Sequence, residues 1–102
     1  MDTLCACRKT EDAQQIRDYL MKVDPAGSLQ TENDTDKILH IMGSAAPDVV
    51  WLDADEEGLA IAEEGRKRLP KANFILVAEG PEHAAEAMKL RASGYVIRPV
   101  TE

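Results

Sequence analysis

A short apolar run that ends in an acid constrains this chain more than any other stretch. Residues 49–52 are consecutively apolar, are preceded by Pro47 and Asp48, and are followed directly by Asp53. Such a run is typical of a β-strand buried on both faces of a sheet. Asp53 would then lie at the carboxyl end of the strand, the edge where ligands bind in open parallel α/β sheets. It is therefore a candidate functional residue, although an aspartate there also serves simply to start a turn.

The other apolar segments alternate between strand-like and helix-like patterns. Strand-like stretches lie at residues 4–7, 28–31, 73–78 and 95–98. Apolar residues spaced by three and four predict helices between them, over residues 10–23, 35–43, 59–69 and 81–91. The last of these has an apolar stripe that includes Ala84, Ala87 and Met88. Strict alternation of five strands with four helices predicts an α/β fold in which helices cover both faces of a parallel sheet.

Composition narrows the class of protein. The 102 residues suffice for one domain, and 44% of them are hydrophobic and 30% charged, as in soluble globular proteins. The formal charge of -7 argues against direct binding of nucleic acid, because polyphosphate repels an acidic surface. No apolar run approaches the ~20 residues that cross a bilayer, and no basic segment precedes an apolar one at the start. We therefore expect a cytoplasmic domain without membrane contact.

The two cysteines are not spaced for a disulfide or a zinc site. Cys5 and Cys7 share one face of the first strand, where Cα atoms two residues apart are near or beyond the separation that a disulfide tolerates. His40 and His83 have no zinc-like spacing to them. We predict that both cysteines are reduced core residues.

The whole chain resembles the receiver domain of two-component response regulators. The most specific segment is 92–101, in which Gly94-Tyr95, two apolar residues and Arg98-Pro99 stand where the family has Gly-Tyr, two apolar residues and Lys-Pro. The resemblance implies a flavodoxin-like, doubly wound sheet of five parallel strands in the order 2-1-3-4-5, without the family's fifth helix. It also implies that residues 1–102 are an atypical receiver domain, the N-terminal part of a longer regulator.

The resemblance gives Asp53 the place of the phospho-acceptor, but its surroundings depart from the family. Arg8 and Lys9 stand where an acidic pair holds Mg²⁺, Ala78 stands in the place of a Thr or Ser, and Arg98 in that of a Lys. Since cations repel a metal ion, we expect no cofactor and no Mg²⁺. Arg8 or Lys9, together with Arg98, would instead form an ion network with Asp53. The alternative is that Arg8 and Lys9 point into solvent.

These features predict a signalling and interaction domain without enzyme activity. It would act independently of phosphorylation and control a DNA-binding output domain that this chain does not contain. One alternative is a conventional receiver that accepts a phosphoryl group on Asp53 with Mg²⁺. Another is a stand-alone interaction module. A flavodoxin-like ligand or redox protein is disfavoured, because residues 8–12 contain no glycine to cradle a phosphate.

The resemblance also implies an interaction surface on the last helix and strand. Its candidate residues are His83, Glu86, Lys89, Leu90, Arg91 and Tyr95. Their mixed charges suit a self-complementary homodimer interface, and a histidine kinase is the other partner that the family implies. Without a helix after Thr101, part of the sheet face beside the first helix would meet water, so we also expect self-association or marginal stability.

Overall fold

A computed structural model describes residues 1–100, so Thr101 and the chain's last residue lie outside the described residues. Five parallel strands form one sheet in the order β2-β1-β3-β4-β5. They are β1 (Asp2–Ala6), β2 (Ser28–Thr31), β3 (Val49–Asp53), β4 (Asn73–Ala78) and β5 (Gly94–Ile97). The helices are α1 (Thr10–Val23), α2 (Thr35–Ala45), α3 (Glu56–Arg68) and α4 (Ala84–Lys89), the last preceded by a 3₁₀ turn over Pro81–His83. The predicted fold class and element order are confirmed.

The central strand is the most deeply buried element of the fold. Every residue of β3 is buried, and its register pairs Trp51 with Cys5 on one side and with Ile75 on the other. Alternate residues of the strands face opposite sides of the sheet. One core, around Val50, Leu52 and Phe74, lies under α2, α3 and α4, and the other lies under α1.

The sheet face beside α1 is covered more completely than the sequence suggests. Trp51 and Val77 are buried, and Val100 packs with them in the same cluster. Apolar residues of this face are partly exposed towards its two sides, namely Leu29 on β2, and Ile75 and Val96 at the β4–β5 side. The expected exposure of this face is therefore absent at its centre, because α1 and Val100 cover Trp51 and Val77 there.

Both cysteines lie in this second core. Cys5 and Cys7 are buried free thiols on one face of the sheet, as predicted. A hydrogen bond with Cys5, together with burial, raises the pKa of the Cys7 thiol. A thiol in this environment is a packing residue rather than a nucleophile.

The last helix is shorter than its apolar stripe predicts. Only Ala84–Lys89 is α-helical, and Ala87 is buried, whereas Met88 is 79% exposed. Successive residues of a helix point about 100° apart, so a six-residue helix with Ala87 against the sheet must turn Met88 outward.

No helix within residues 1–100 combines the length and apolar character that a membrane span needs.

Two helical glycines provide a test of the packing between α2, α3 and the sheet. A Cβ at Gly65 would lie 2.7 Å from Met42 Sδ and 3.1 Å from the Phe74 ring, whereas at Gly43 the nearest atom is 3.7 Å away. We expect Gly65→Ala to lower the free energy of unfolding by about 1–3 kcal/mol through overpacking. Gly43→Ala should raise it by up to about 1 kcal/mol, the gain in helix propensity. Urea unfolding measures both, and a stabilising Gly65→Ala would contradict the packing.

Candidate functional site

Asp53 ends β3 at the carboxyl edge of the sheet, and nitrogen donors occupy both of its carboxylate oxygens. Its Oδ1 accepts a hydrogen bond from Arg98 Nη2 at 3.0 Å. Its Oδ2 accepts one from the backbone N–H of Arg8 at 3.0 Å and lies 3.5 Å from Arg8 Nε. Asp53 is only 5% exposed. A buried carboxylate is costly unless it is paired, and the two arginines provide that pairing.

Arg98 follows β5 and uses three nitrogens of one guanidinium on three different carboxylates. Besides Asp53, it donates from Nε to Asp12 Oδ2 at 2.8 Å and from Nη1 to Glu79 Oε1 at 3.1 Å. Burial alone would lower the pKa of Arg98, but the hydrogen bond to Asp12 and the surrounding negative charges outweigh it and raise that pKa. A lysine has no planar fork of donors and could not bridge the three groups in this way.

Asp12 is the part of the site that sequence reasoning missed. It lies in the first turn of α1, where its charge suits the helix dipole, yet it is only 3% exposed and faces Arg98. The sequence did contain a sign of this role. Asp12 lies four residues before Ile16, which is buried, so both residues lie on the face of α1 that points to the sheet. Glu79, which follows β4, was also missed.

The side chain of Arg8 passes Asp53 and reaches the start of α3. Its guanidinium pairs with the carboxylates of Asp55 and Glu57, the latter at 3.1 Å. Asp55 also caps α3 by accepting from the N–H of Gly58 at 2.7 Å, and Glu57 accepts from Thr35 Oγ1 at 2.7 Å. Asp55 and Glu57 are thus ordered partners of Arg8.

Lys9 lies at the exposed rim of the site. Its Nζ donates to Glu79 Oε1, the oxygen that Arg98 also contacts, and within residues 1–100 it makes no contact with Asp53. The hydrogen bond from Lys9 holds the pKa of the Glu79 carboxyl below its ordinary value. Of the two basic residues after β1, the structure places Arg8 and not Lys9 against Asp53.

Ala78 ends β4 but faces away from Asp53. Its methyl group is buried in the core under α2, α3 and α4, while Asp53 shares the α1 side of the sheet with Trp51. Only the Ala78 carbonyl takes part in the site, accepting from the Arg98 N–H at 2.8 Å. Ala78 therefore positions Arg98 through its backbone.

The structure divides the candidate interface residues between two places. Tyr95 is half-buried, and its hydroxyl donates to the Gly80 carbonyl at 2.6 Å and accepts from the His83 N–H at 3.3 Å. The His83 ring pairs with Glu86 at 2.7 Å, a contact that raises the pKa of the histidine.

The remaining candidates turn towards α3. Glu86, Lys89 and Leu90 line a groove that α4 forms with α3. Arg91 is exposed just past α4 with a φ of 56°. Glu86 connects the two places, because it pairs with His83 and also lines the groove.

Comparison with known proteins connects this arrangement to a fold. No family model matches the sequence, and no curated protein matches it. Among solved structures, the response regulatory domain of protein mrkE from Klebsiella pneumoniae is 21% identical with a TM-score of 0.81, over 99% of this chain and 85% of that chain. The receiver (REC) domain of AraT, a response regulator from Geobacillus stearothermophilus, is 21% identical with a TM-score of 0.82, over 97% and 81%.

A third structure, NtrX from Brucella abortus in complex with ADP, is 26% identical with a TM-score of 0.74, over 98% of this chain but only 23% of that chain. At these identities the similarity establishes the fold. The chain has the receiver fold of response regulators.

Replacing Arg98 tests how far the site depends on one side chain. Arg98→Met leaves Asp12 and Asp53 as buried carboxylates without their shared partner, and we expect the free energy of unfolding to fall by about 3–5 kcal/mol. Lys9→Met, which removes a cation from the exposed rim, should cost less than about 1 kcal/mol. Chemical denaturation compares the two variants.

A second substitution separates lost pairing from lost packing. Asp12→Asn should destabilise the wild type but restore part of the stability of Arg98→Met, because it removes one of the unpaired charges. Equal effects of Asp12→Asn in both backgrounds would contradict the network.

Proposed function

We propose that this chain is an atypical receiver domain that acts as a signalling and interaction module, with Asp53 as a structural anchor rather than a phospho-acceptor. One observation carries the proposal: both carboxylate oxygens of the buried Asp53 already accept hydrogen bonds, from Arg98 and from the backbone of Arg8. A carboxylate that attacks a phosphoryl group must align a lone pair of one oxygen with the incoming phosphorus. Here the hydrogen bonds from Arg98 and Arg8 hold both oxygens of Asp53 and oppose that alignment.

Mg²⁺ does not fit the donors around Asp53. Asp12 and Asp53 are the kind of ligand that Mg²⁺ prefers, but one guanidinium lies between them and donates to both. A divalent ion in that position would meet the charge of Arg98 directly, a strong repulsion in a partly buried cleft. We therefore propose that the domain works without a metal or other cofactor and without enzyme activity.

The ion network suggests how the domain transmits information. In a phospho-accepting receiver the charge around the acceptor changes when the phosphoryl group arrives. Here the positive charges are side chains of the protein, so the carboxyl edge of the sheet keeps one arrangement. Regulation would then come from binding of partners or from changes in abundance, and not from a phosphorylation cycle.

The receiver fold suggests which partners this domain would have. The chain spans only 23% of NtrX, so this fold also occurs as one part of a longer protein. We propose that the domain belongs to a cytoplasmic transcriptional regulator and controls a DNA-binding output domain outside this chain. The domain would control this output most directly by forming a homodimer through the Pro81–His83 turn, α4 and β5. A histidine kinase is a further candidate partner.

The proposal predicts that Asp53 stays unmodified. After incubation with acetyl phosphate and Mg²⁺, intact-protein mass spectrometry should show no stoichiometric gain of a phosphoryl group. Beryllofluoride should likewise give no bound ¹⁹F resonance, and the DrrB receiver domain, known in a BeF₃-activated form, is the positive control. One phosphoryl group on the wild type that is absent from Asp53→Asn would overturn the proposal and favour the conventional, Mg²⁺-dependent alternative.

A further inference from the structure

A groove runs between α3 and α4 on the side of the sheet opposite α1. Its volume is about 520 Å³. Leu59 of α3 and Leu90, just past α4, form its apolar floor, and both are partly buried and pack against the main core. Ala60 adds a small exposed side chain to the wall formed by α3. The groove therefore offers apolar surface that side chains from outside the domain can reach.

Acidic residues dominate the rim of this groove. Glu56 and Glu63 belong to α3 and Glu86 to α4, and Lys89 is the one cation that lines the groove. Glu56, Leu59, Ala60 and Glu63 recur at spacings of three and four, so they share one face of α3. Within the described part of the chain, neither Glu56 nor Glu63 forms an ion pair. The α3 side of the rim thus carries unneutralised negative charge beside an apolar floor, whereas Glu86 on the α4 side pairs with His83.

Arg66 of α3 links the chain just past α4 to α3 and to the sheet. Its guanidinium stacks on Phe74 at 4.6 Å and donates to the carbonyls of Leu90 at 3.2 Å and Arg91 at 3.0 Å. It also donates to the Ala72 carbonyl at 2.8 Å. One side chain therefore fixes the end of α4 relative to α3 and to the sheet. A groove that is fixed before binding avoids the ordering cost that a flexible one incurs.

We propose that the α3–α4 groove binds a short amphipathic helix of a partner protein, with apolar residues one turn apart and Lys or Arg beside them. The helix rises by about 10 Å from Glu56 to Glu63, enough for two such anchors. Complementary charge sets the sign of the partner, since acids line the rim. A second copy is a poor occupant of the groove, because a two-fold contact here would bring the acidic rim of one chain against that of the other. The inference goes beyond the proposed function and does not depend on how Asp53 is used.

A designed helical peptide tests this proposal on the full chain. The probe carries two leucines four residues apart, flanked by lysines, and its controls replace the leucines by serine or the lysines by glutamate. Only the parent peptide should bind, with ¹⁵N shift changes centred on Leu59, Ala60 and Leu90. Because each exposed charge contributes little, Glu56→Gln combined with Glu63→Gln should weaken binding about threefold to tenfold at low salt. Raising the salt concentration should weaken wild-type binding similarly.

Two further variants make the outcome decisive. Ala60→Arg places a bulky cation in the groove at an exposed helical position, so it should abolish binding while the spectrum stays that of a folded domain. Glu11→Gln combined with Asp36→Asn removes the same charge elsewhere on the surface and should leave the affinity unchanged. Equal weakening by this control, unaltered binding by Ala60→Arg, or groove shifts that follow protein concentration without peptide would each overturn the proposal.

Discussion

The carboxyl edge of this sheet depends on the hydrogen bonds from one guanidinium to two buried carboxylates. Arg98 reaches Asp12 at 2.8 Å and Asp53 at 3.0 Å, and so connects α1, β3 and the end of β5. Without this partner either buried acid would destabilise the fold, because the desolvation of an unpaired carboxylate amounts to several kcal/mol. The positions of all three elements at this edge are therefore coupled through a single side chain, and Arg8 and Glu79 complete the arrangement from either side.

Under the proposed function, this coupling distinguishes the domain from one that changes its charge in response to a signal. A bound metal or a phosphoryl group can come and go, whereas a side chain that is part of the chain remains at a fixed effective concentration. The network around Asp53 favours one conformation of the edge, and the surfaces that depend on that edge stay in one state. We propose that the α3–α4 groove and the surface of β5 are then binding sites whose occupancy is set by the partners available to them.

The sequence was sufficient for the fold and for the central acid, because both depend on local patterns. The apolar run before Asp53 and the alternation of elements predict a buried parallel strand with an acid at its end, and β3 has that form. Asp12 and Glu79 were missed because their roles come from contacts across 86 and 19 residues of sequence. The direction in which the Ala78 side chain points depends on strand register, and the exposure of Met88 depends on where α4 begins. Composition reveals neither of these.

Nitrogen-detected NMR of the arginine side chains tests the central claim most directly. A guanidinium held by three carboxylates rotates slowly about its Nε–Cζ bond, so Arg98 should give separate Nη1 and Nη2 resonances that Asp53→Asn or Asp12→Asn collapses. Exposed Arg17 is the internal control and should give one averaged signal. Added MgCl₂ should leave the Arg98 resonances unchanged. An averaged Arg98 signal, or one that MgCl₂ shifts, would contradict the account.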